Sequence, residues 1–267
     1  MVANDRIDAL ESSPPGRPVQ IELRIPGPWR GSGPLADALE EADTGYRFDE
    51  GHLVRESDGW RCEMGASPPD DEIAGLFAYD GRMSRSEIAA VAKHAAKVHL
   101  IGPGGSAAMA RAMVDAATAL VKIGASGVMV DNSSATHSPT DWLTLASDPK
   151  PGGLYWIFTV LSGGDDEVWT SGQHCLGLRD AELRDPPDEQ FAYLLVHNFL
   201  GYVYQSGKTV HDGDVVDGPG GTIYRATQHP FTRVQQDTPF FNPFGVWRLE
   251  RVNEDEKWSK DAYHPIR

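Results

Sequence analysis

The chain has little cysteine, a shortage of basic side chains and no long apolar run. Each shortage removes a class of protein. Two cysteines among 267 residues, Cys62 and Cys175, are too few for a disulfide framework. No C-x-x-C occurs, so there is neither a zinc ribbon nor a thioredoxin-like redox pair. One long-range bridge is open to the two thiols, but reduced thiols in a cytoplasmic protein are the expectation. Lysine and arginine number 24 against 39 aspartates and glutamates, a formal net charge of -15. A field of that sign repels phosphate backbones and anionic headgroups, so neither nucleic acid nor a bare membrane surface is an expected partner. It favours a basic protein partner or a cation, and it also simply keeps a protein soluble.

No stretch of 18 or more apolar residues is present, so no spanning helix is expected. Residues 1–18 lack a basic start followed by an apolar stretch and do not read as a signal peptide. Their Ser12-Ser13-Pro14-Pro15-Gly16 segment reads as a flexible lead. The nine histidines include no H-E-x-x-H or H-x-H pair, and no G-x-S-x-G elbow places a strained nucleophile. Neither a metal nor a cofactor is expected. The acidic run His211-Asp212-Gly213-Asp214, with Asp217, lacks the spacing of a calcium loop and reads as a solvated turn.

What is present is globular: 40% hydrophobic and 24% charged residues, enough for a sizeable core. Residues 19–25 alternate apolar and polar, which predicts a half-buried strand. Residues 34–42 predict a short helix. Residues 46–55 and 60–64 predict strands with Asp58-Gly59 as the turn, and residues 73–79 a further strand. Ser84-Arg85-Ser86-Glu87 is a capping box. Residues 97–101 predict a strand, 106–123 the clearest helix, and 127–130 another strand. Ser138 caps a helix with Pro139 at its first position. Residues 154–161 predict a strongly apolar strand, 167–171 another, and 186–205 an aromatic-rich helix. Three short strands around 209–216, 222–227 and 245–252 close the fold.

The strand-turn-helix-strand pattern recurs at residues 19–54 and 97–131. It predicts an α+β fold with ferredoxin-like layers: helices on one side of a mainly antiparallel sheet, in two packed halves. The expected organisation is a lead over 1–18, an N-terminal half over 19–147, a C-terminal half over 154–252 and a polar tail over 253–267. Asp148-Pro149-Lys150-Pro151-Gly152-Gly153 is the boundary between the halves.

Two constellations could carry chemistry. Gly102-Pro103-Gly104-Gly105-Ser106-Ala107 fits G-x-G-x-x-A after a strand and before a helix, with Asp131 ending the next strand. Gly102, Gly104 and Ala107 would admit a dinucleotide pyrophosphate, and Asp131 would take the ribose. The plainer reading, a tight turn between a strand and a packed helix, needs no ligand and is the one favoured. The second constellation is a candidate pocket of His137, Asp141, His174 and Cys175. A Ser-His-Asp arrangement can be drawn there with Ser138, but triads are recognised by geometry. Adjacent residues on a strand face opposite ways, so His174 would not activate Cys175, which reads as a buried structural thiol.

Several runs are held in common with a known family. They are Gly127-Val128-Met129-Val130, His137-Ser138 with Trp142, and Leu154-Tyr155-Trp156. They continue with the run from Thr170 through Gly172-Gln173-His174-Cys175 to Asp180, and end on Phe241-Asn242-Pro243-Phe244-Gly245-Val246-Trp247-Arg248-Leu249. In this order, over roughly residues 88–250, the chain resembles the DUF4261 family, a bacterial family without an assigned activity. The resemblance implies no catalytic residue set. From the residues alone, Asn242-Pro243 sets a turn, Gly245 releases it, and 246–249 is a closing strand. The expectation is a protein-binding or immunity/regulatory-type factor without catalytic activity. The alternative is a small-ligand or nucleotide-binding enzyme using the Gly102 to Ser106 loop or the His137/His174 region.

Overall fold

A computed structural model describes residues 18–252, apart from residues 80, 149, 150, 165, 187, 207 and 208. Almost all of the expected lead (1–17), all of the polar tail (253–267), and Pro149 and Lys150 of the expected boundary lie outside the described residues. The chain is an α+β protein with two mainly antiparallel sheets.

The first part runs β1 (Gln20–Gly27), α1 (Ser32–Glu41), β2 (Tyr46–Asp49), β3 (His52–Arg55), β4 (Arg61–Ser67), α2 (Ile73–Ala78), α3 (Arg85–Val91), β5 (Ala96–Pro103), α4 (Ala107–Lys122), β6 (Val128–Val130) and β7 (Ala135–His137). Its sheet has the order β2-β3-β4-β5-β1-β6-β7. β1 lies between β5 and β6, antiparallel to both, and α4 crosses between them. The four central strands with α1 and α4 therefore have ferredoxin-like order and connectivity. Two short helices follow, α5 (Pro139–Ala146) and α6 (Pro151–Phe158). Then come β8 (Val160–Gly163), β9 (Glu167–Ser171), β10 (Asp180–Arg184), α7 (Glu189–Ser206), β11 (Val215–Asp217), β12 (Ile223–His229) and β13 (Val246–Arg251). This second sheet has the order β11-β12-β13-β10-β9-β8, with β10 and β13 parallel.

Period two puts Ile21, Leu23 and Ile25 of β1 on one face, where they are at most 1% exposed. They meet Leu35 and Leu39 of α1 and the Met113, Ala117 and Leu120 stripe of α4 in one core. That core continues through Trp142, Ile157 and Phe158 into Val168, Ala181 and Leu249 of the second sheet. The caps form as their local sequences direct. Ser84 and Glu87 make the reciprocal box, Ser106 accepts from Met109 N, and Ser138 accepts from Asp141 N beside Pro139.

Four expectations are corrected. Residues 73–79 are helical, not a strand, because Ile73 and Phe77 sit at i and i+4 and are both fully buried. With α3 they cover the opposite face of the first sheet, against Met129, so the helices do not all lie on one side. Residues 154–158 belong to α6 rather than to a strand. An apolar run buried nearly all round has no period to distinguish the two, and here neighbouring helices select the helix. Residues 46–55 form two strands: Glu50 and Gly51, with φ of 46° and 81°, make a tight hairpin turn of the kind positive φ at both positions allows.

Candidate functional site

The Gly102 to Ala107 loop is packed against protein. Gly104 N donates to Val19 O at 2.9 Å and Gly105 N to Cys175 O at 3.0 Å. A Cβ on Gly102 would meet Met113 and Cys62, and one on Gly104 would meet Ile21 and Val19. Ala107 packs against the core. The glycines thus answer to close approach by β1, α4 and the 3-10 turn Gln173–Leu176, and two amides that would face a pyrophosphate are already bonded. Asp131 pairs with Arg24 at 3.0 Å. Arg24 projects from the face of β1 opposite Leu23 and α4, so Asp131 lies across the sheet from the helix. Burial raises the Asp131 pKa even against the Arg24 charge.

The contact from the other side gives a prediction. Gly177 has φ 79°, and a Cβ there would collide with Gly105 O. Gly177→Ala is expected to cost roughly 2–4 kcal/mol. This would be read as a lower urea midpoint at unchanged m-value.

His137, Asp141, His174 and Cys175 do not converge. The His137 ring nitrogen Nε2 lies 2.9 Å from Ile157 O, and its ring meets Trp142 edge-on at 5.6 Å. Asp141 accepts from Ser138 Oγ at 2.9 Å within the α5 cap. His174, 2% exposed, places Nε2 3.0 Å from Pro239 O. Burial pushes its pKa down to about 4, so the ring is neutral at pH 7 and Nε2–H is the donor. Cys175 is fully buried, and burial raises its thiol well above the ordinary range, which makes it inert. The acidic turn is internally satisfied as well. Asp214 accepts from His211 N, and Asp212 from Gln228 N. Among the described residues no group of three His, Cys, Asp or Glu side chains is placed to hold a metal.

The structure brings forward residues that local patterns did not mark. Asn132, 1% exposed, accepts from Glu22 N at 2.9 Å and donates to Gln20 O at 2.9 Å and Pro239 O at 3.1 Å. Asp180, also 1% exposed, accepts from Thr170 Oγ1, Gln173 N and Asn242 Nδ2. Burial pushes its pKa up to about 7 against those three hydrogen bonds. Asn242 also donates to Leu178 O and accepts from Phe244 N. Arg179 donates to Phe244 O and lies over Trp247.

Together these bonds hold the segment 230–245. That segment forms one wall of a cleft of about 460 Å³ between the two sheets. Phe231, Arg233, Val234 and Phe240 line it from the segment, and Trp169 and Ser171 from β9. The Ser133-Ser134 turn, the strand β8, Tyr79 and Arg82 complete it. The Arg233 guanidinium lies 4.5 Å over the Trp169 ring. It pairs with both oxygens of Glu167 at 2.8 Å and with Glu182 at 2.9 Å. The Arg233 hydrogen bonds hold the Glu167 carboxyl below its usual value. Burial alone would raise Glu182, but bonds from Arg248 and Arg233 outweigh it and hold that carboxyl low too. The cation is thus fixed as a flat lid on Trp169. At the mouth Tyr79 is 90% exposed and Val234 36%. Comparison with protein-family models, with curated proteins and with solved structures gave no match to this chain.

Proposed function

We propose that the chain is a protein-binding factor of a regulatory or immunity kind, without catalytic chemistry of its own, and that its partner seats in the cleft between the sheets. The observation that supports this most is the lining. Trp169, Tyr79, Phe231 and Phe240 line the cleft together with an immobilised arginine, Arg233, and aromatic and arginine side chains are the groups that dominate protein interfaces. The wall that carries Phe231 and Phe240 is hydrogen-bonded at Arg233, Pro239 and Asn242, so little ordering remains to oppose binding. The net charge of -15 favours a basic partner and a cytoplasmic setting free of nucleic-acid contacts. Membership of the DUF4261 family belongs to the same reading. Two of the runs that carry the resemblance meet through Asp180 and Asn242, directly beneath the cleft wall. The reading as a nucleotide or small-ligand enzyme has less behind it, because the Gly104 and Gly105 amides and both histidines have separate protein partners.

The test is capture of a stoichiometric partner by the whole chain, compared with Tyr79→Ala and Val234→Asp. Both sites are exposed, so folding should be unchanged. The expected result is retention by the wild type, release with rising salt, and roughly 30-fold weaker binding for Tyr79→Ala. Equal retention by both variants would remove the cleft from consideration.

A further inference from the structure

Strand β8 forms one border of the cleft, and among the described residues its main chain pairs on one side only. Gly164 N donates to Glu167 O, so in this antiparallel pair Ser162, opposite Trp169, and Val160, opposite Ser171, also direct their main-chain groups toward β9. Alternation then turns the N–H and C=O of Leu161 and Gly163 outward, to the side on which β8 has no neighbouring strand among the described residues. The Thr159 carbonyl faces the same way and already accepts from the Arg82 guanidinium at 3.3 Å, so polar side chains do reach this edge.

The other three edges are closed or guarded. β2 carries the exposed Arg47–Asp49 ion pair. All three residues of β7 are buried. β11 has Val215 and Val216 buried and ends on Asp217. β8 reads Val160-Leu161-Ser162-Gly163, without charge or proline, and is only partly buried. Natural sheets protect exposed edges with charge, proline, brevity or cover. β8 is short but has none of the other protections.

We propose that β8 is a docking edge, which takes an extended segment of a protein partner as an added strand. Every second side chain of that segment enters the cleft beside Trp169, Phe231 and Phe240. The inference rests on the cleft being the partner seat. The chemistry it asks for is an extended, proline-free segment with apolar residues at alternate positions. Lys or Arg flank it, to answer the chain's -15 charge.

The probe is a dodecapeptide selected from a random phage-displayed library on the full chain. Binding of this peptide, and of copies N-methylated at one position each, is measured by fluorescence polarisation. Amide exchange is followed at Leu161 and Gly163. Strand addition predicts a period-two pattern in which alternate N-methyl groups weaken binding about tenfold or more. It also predicts at least tenfold protection of the Leu161 and Gly163 amides, and a similar loss for Leu161→Pro. The N-methyl scan uses the unaltered protein, so it decides the question even if Leu161→Pro does not fold. Peptides weakened by Tyr79→Ala but indifferent to every N-methyl group would overturn strand addition and leave the cleft as the seat. Peptides indifferent to both Tyr79→Ala and N-methylation would overturn the two together. Leu161 protection arising only from concentration-dependent dimers in sedimentation would make the occupant a second copy of this chain, and would overturn the proposed partner.

Discussion

Asn132→Ala is expected to lower the free energy of unfolding by about 4 kcal/mol. The side chain is 1% exposed and acts as an extra rung of the first sheet. After β6 ends, its amide takes the place of a strand. Oδ1 accepts from Glu22 N, and Nδ2 donates to Gln20 O, both on β1. Its other donation, to Pro239 O, ties that sheet to the cleft wall. Alanine would take these partners from the part-buried Glu22 N and Gln20 O, at about 1–3 kcal/mol each, and would loosen Pro239. Urea unfolding would show the loss. Amide exchange would show faster opening in residues 231–240. A loss below about 1 kcal/mol would mean that water takes over the amide's bonds, and the keystone role would then be wrong. Asn132→Asp separates the contributions. It keeps the acceptor for Glu22 N but sets a carboxylate against two carbonyl oxygens, so it should be no milder than alanine.

The second large effect is one that the wild type conceals. Asp180 and His174 are both buried, and their pKa values move in opposite directions. For Asp180 the folded value of about 7 lies above the ordinary 3.8. Between those values only the folded state holds the proton, so stability falls as pH rises, by about 4 kcal/mol in all. For His174 the folded value of about 4 lies below the ordinary 6.5. In that window only the unfolded state holds the proton, so stability falls as pH drops, by about 3 kcal/mol. Over pH 4 to 6.5 the two nearly cancel. Asp180→Asn should therefore expose the His174 contribution, giving a protein that loses about 3 kcal/mol relative to wild type on going from pH 6.5 to 4. His174→Gln should do the reverse and gain relative stability on acidification. Chemical denaturation of all three proteins across pH 4 to 7.5 reads this directly from the difference curves, whatever the absolute cost of each substitution. Parallel curves would show that neither group is shifted in the folded state. The outcome bears on the cleft, since His174 bonds Pro239 O and Asp180 bonds Asn242. Both titrations therefore act on the wall that carries Phe240.

Local signals in the sequence suffice where the deciding partner lies within a few positions. Ser84 with Glu87, Ser106 with Met109, and Ser138 with Pro139 and Asp141 are complete within three or four residues. The helix that became α4 and the alternating strand β1 declared their periods over long enough stretches to be unambiguous. The run at 154–161 did not. Its apolar residues are buried on nearly every side, so strand and helix predicted the same pattern, and contact with α5 and α7 made the choice. Of the candidate site residues, the sequence supplied their types but not their company. His137 met Ile157 O, and His174 met Pro239 O from 65 positions away.

By itself, then, the sequence determined the α+β class, the periods of β1 and α4, the caps, and a net charge of -15. Each follows from composition, from periodicity inside one element, or from partners a few positions apart. The cleft was decided only by tertiary structure. Tyr79, Ser133, Trp169, Arg233 and Phe240 stand on four separate segments spread over some 160 positions, and no spacing rule connects them. What joins them is packing of two sheets across one core. The same packing left β8 as the edge strand bordering the cleft with neither charge, proline nor full burial, because edge position depends on strand order, and strand order is set by contacts between residues far apart in the chain.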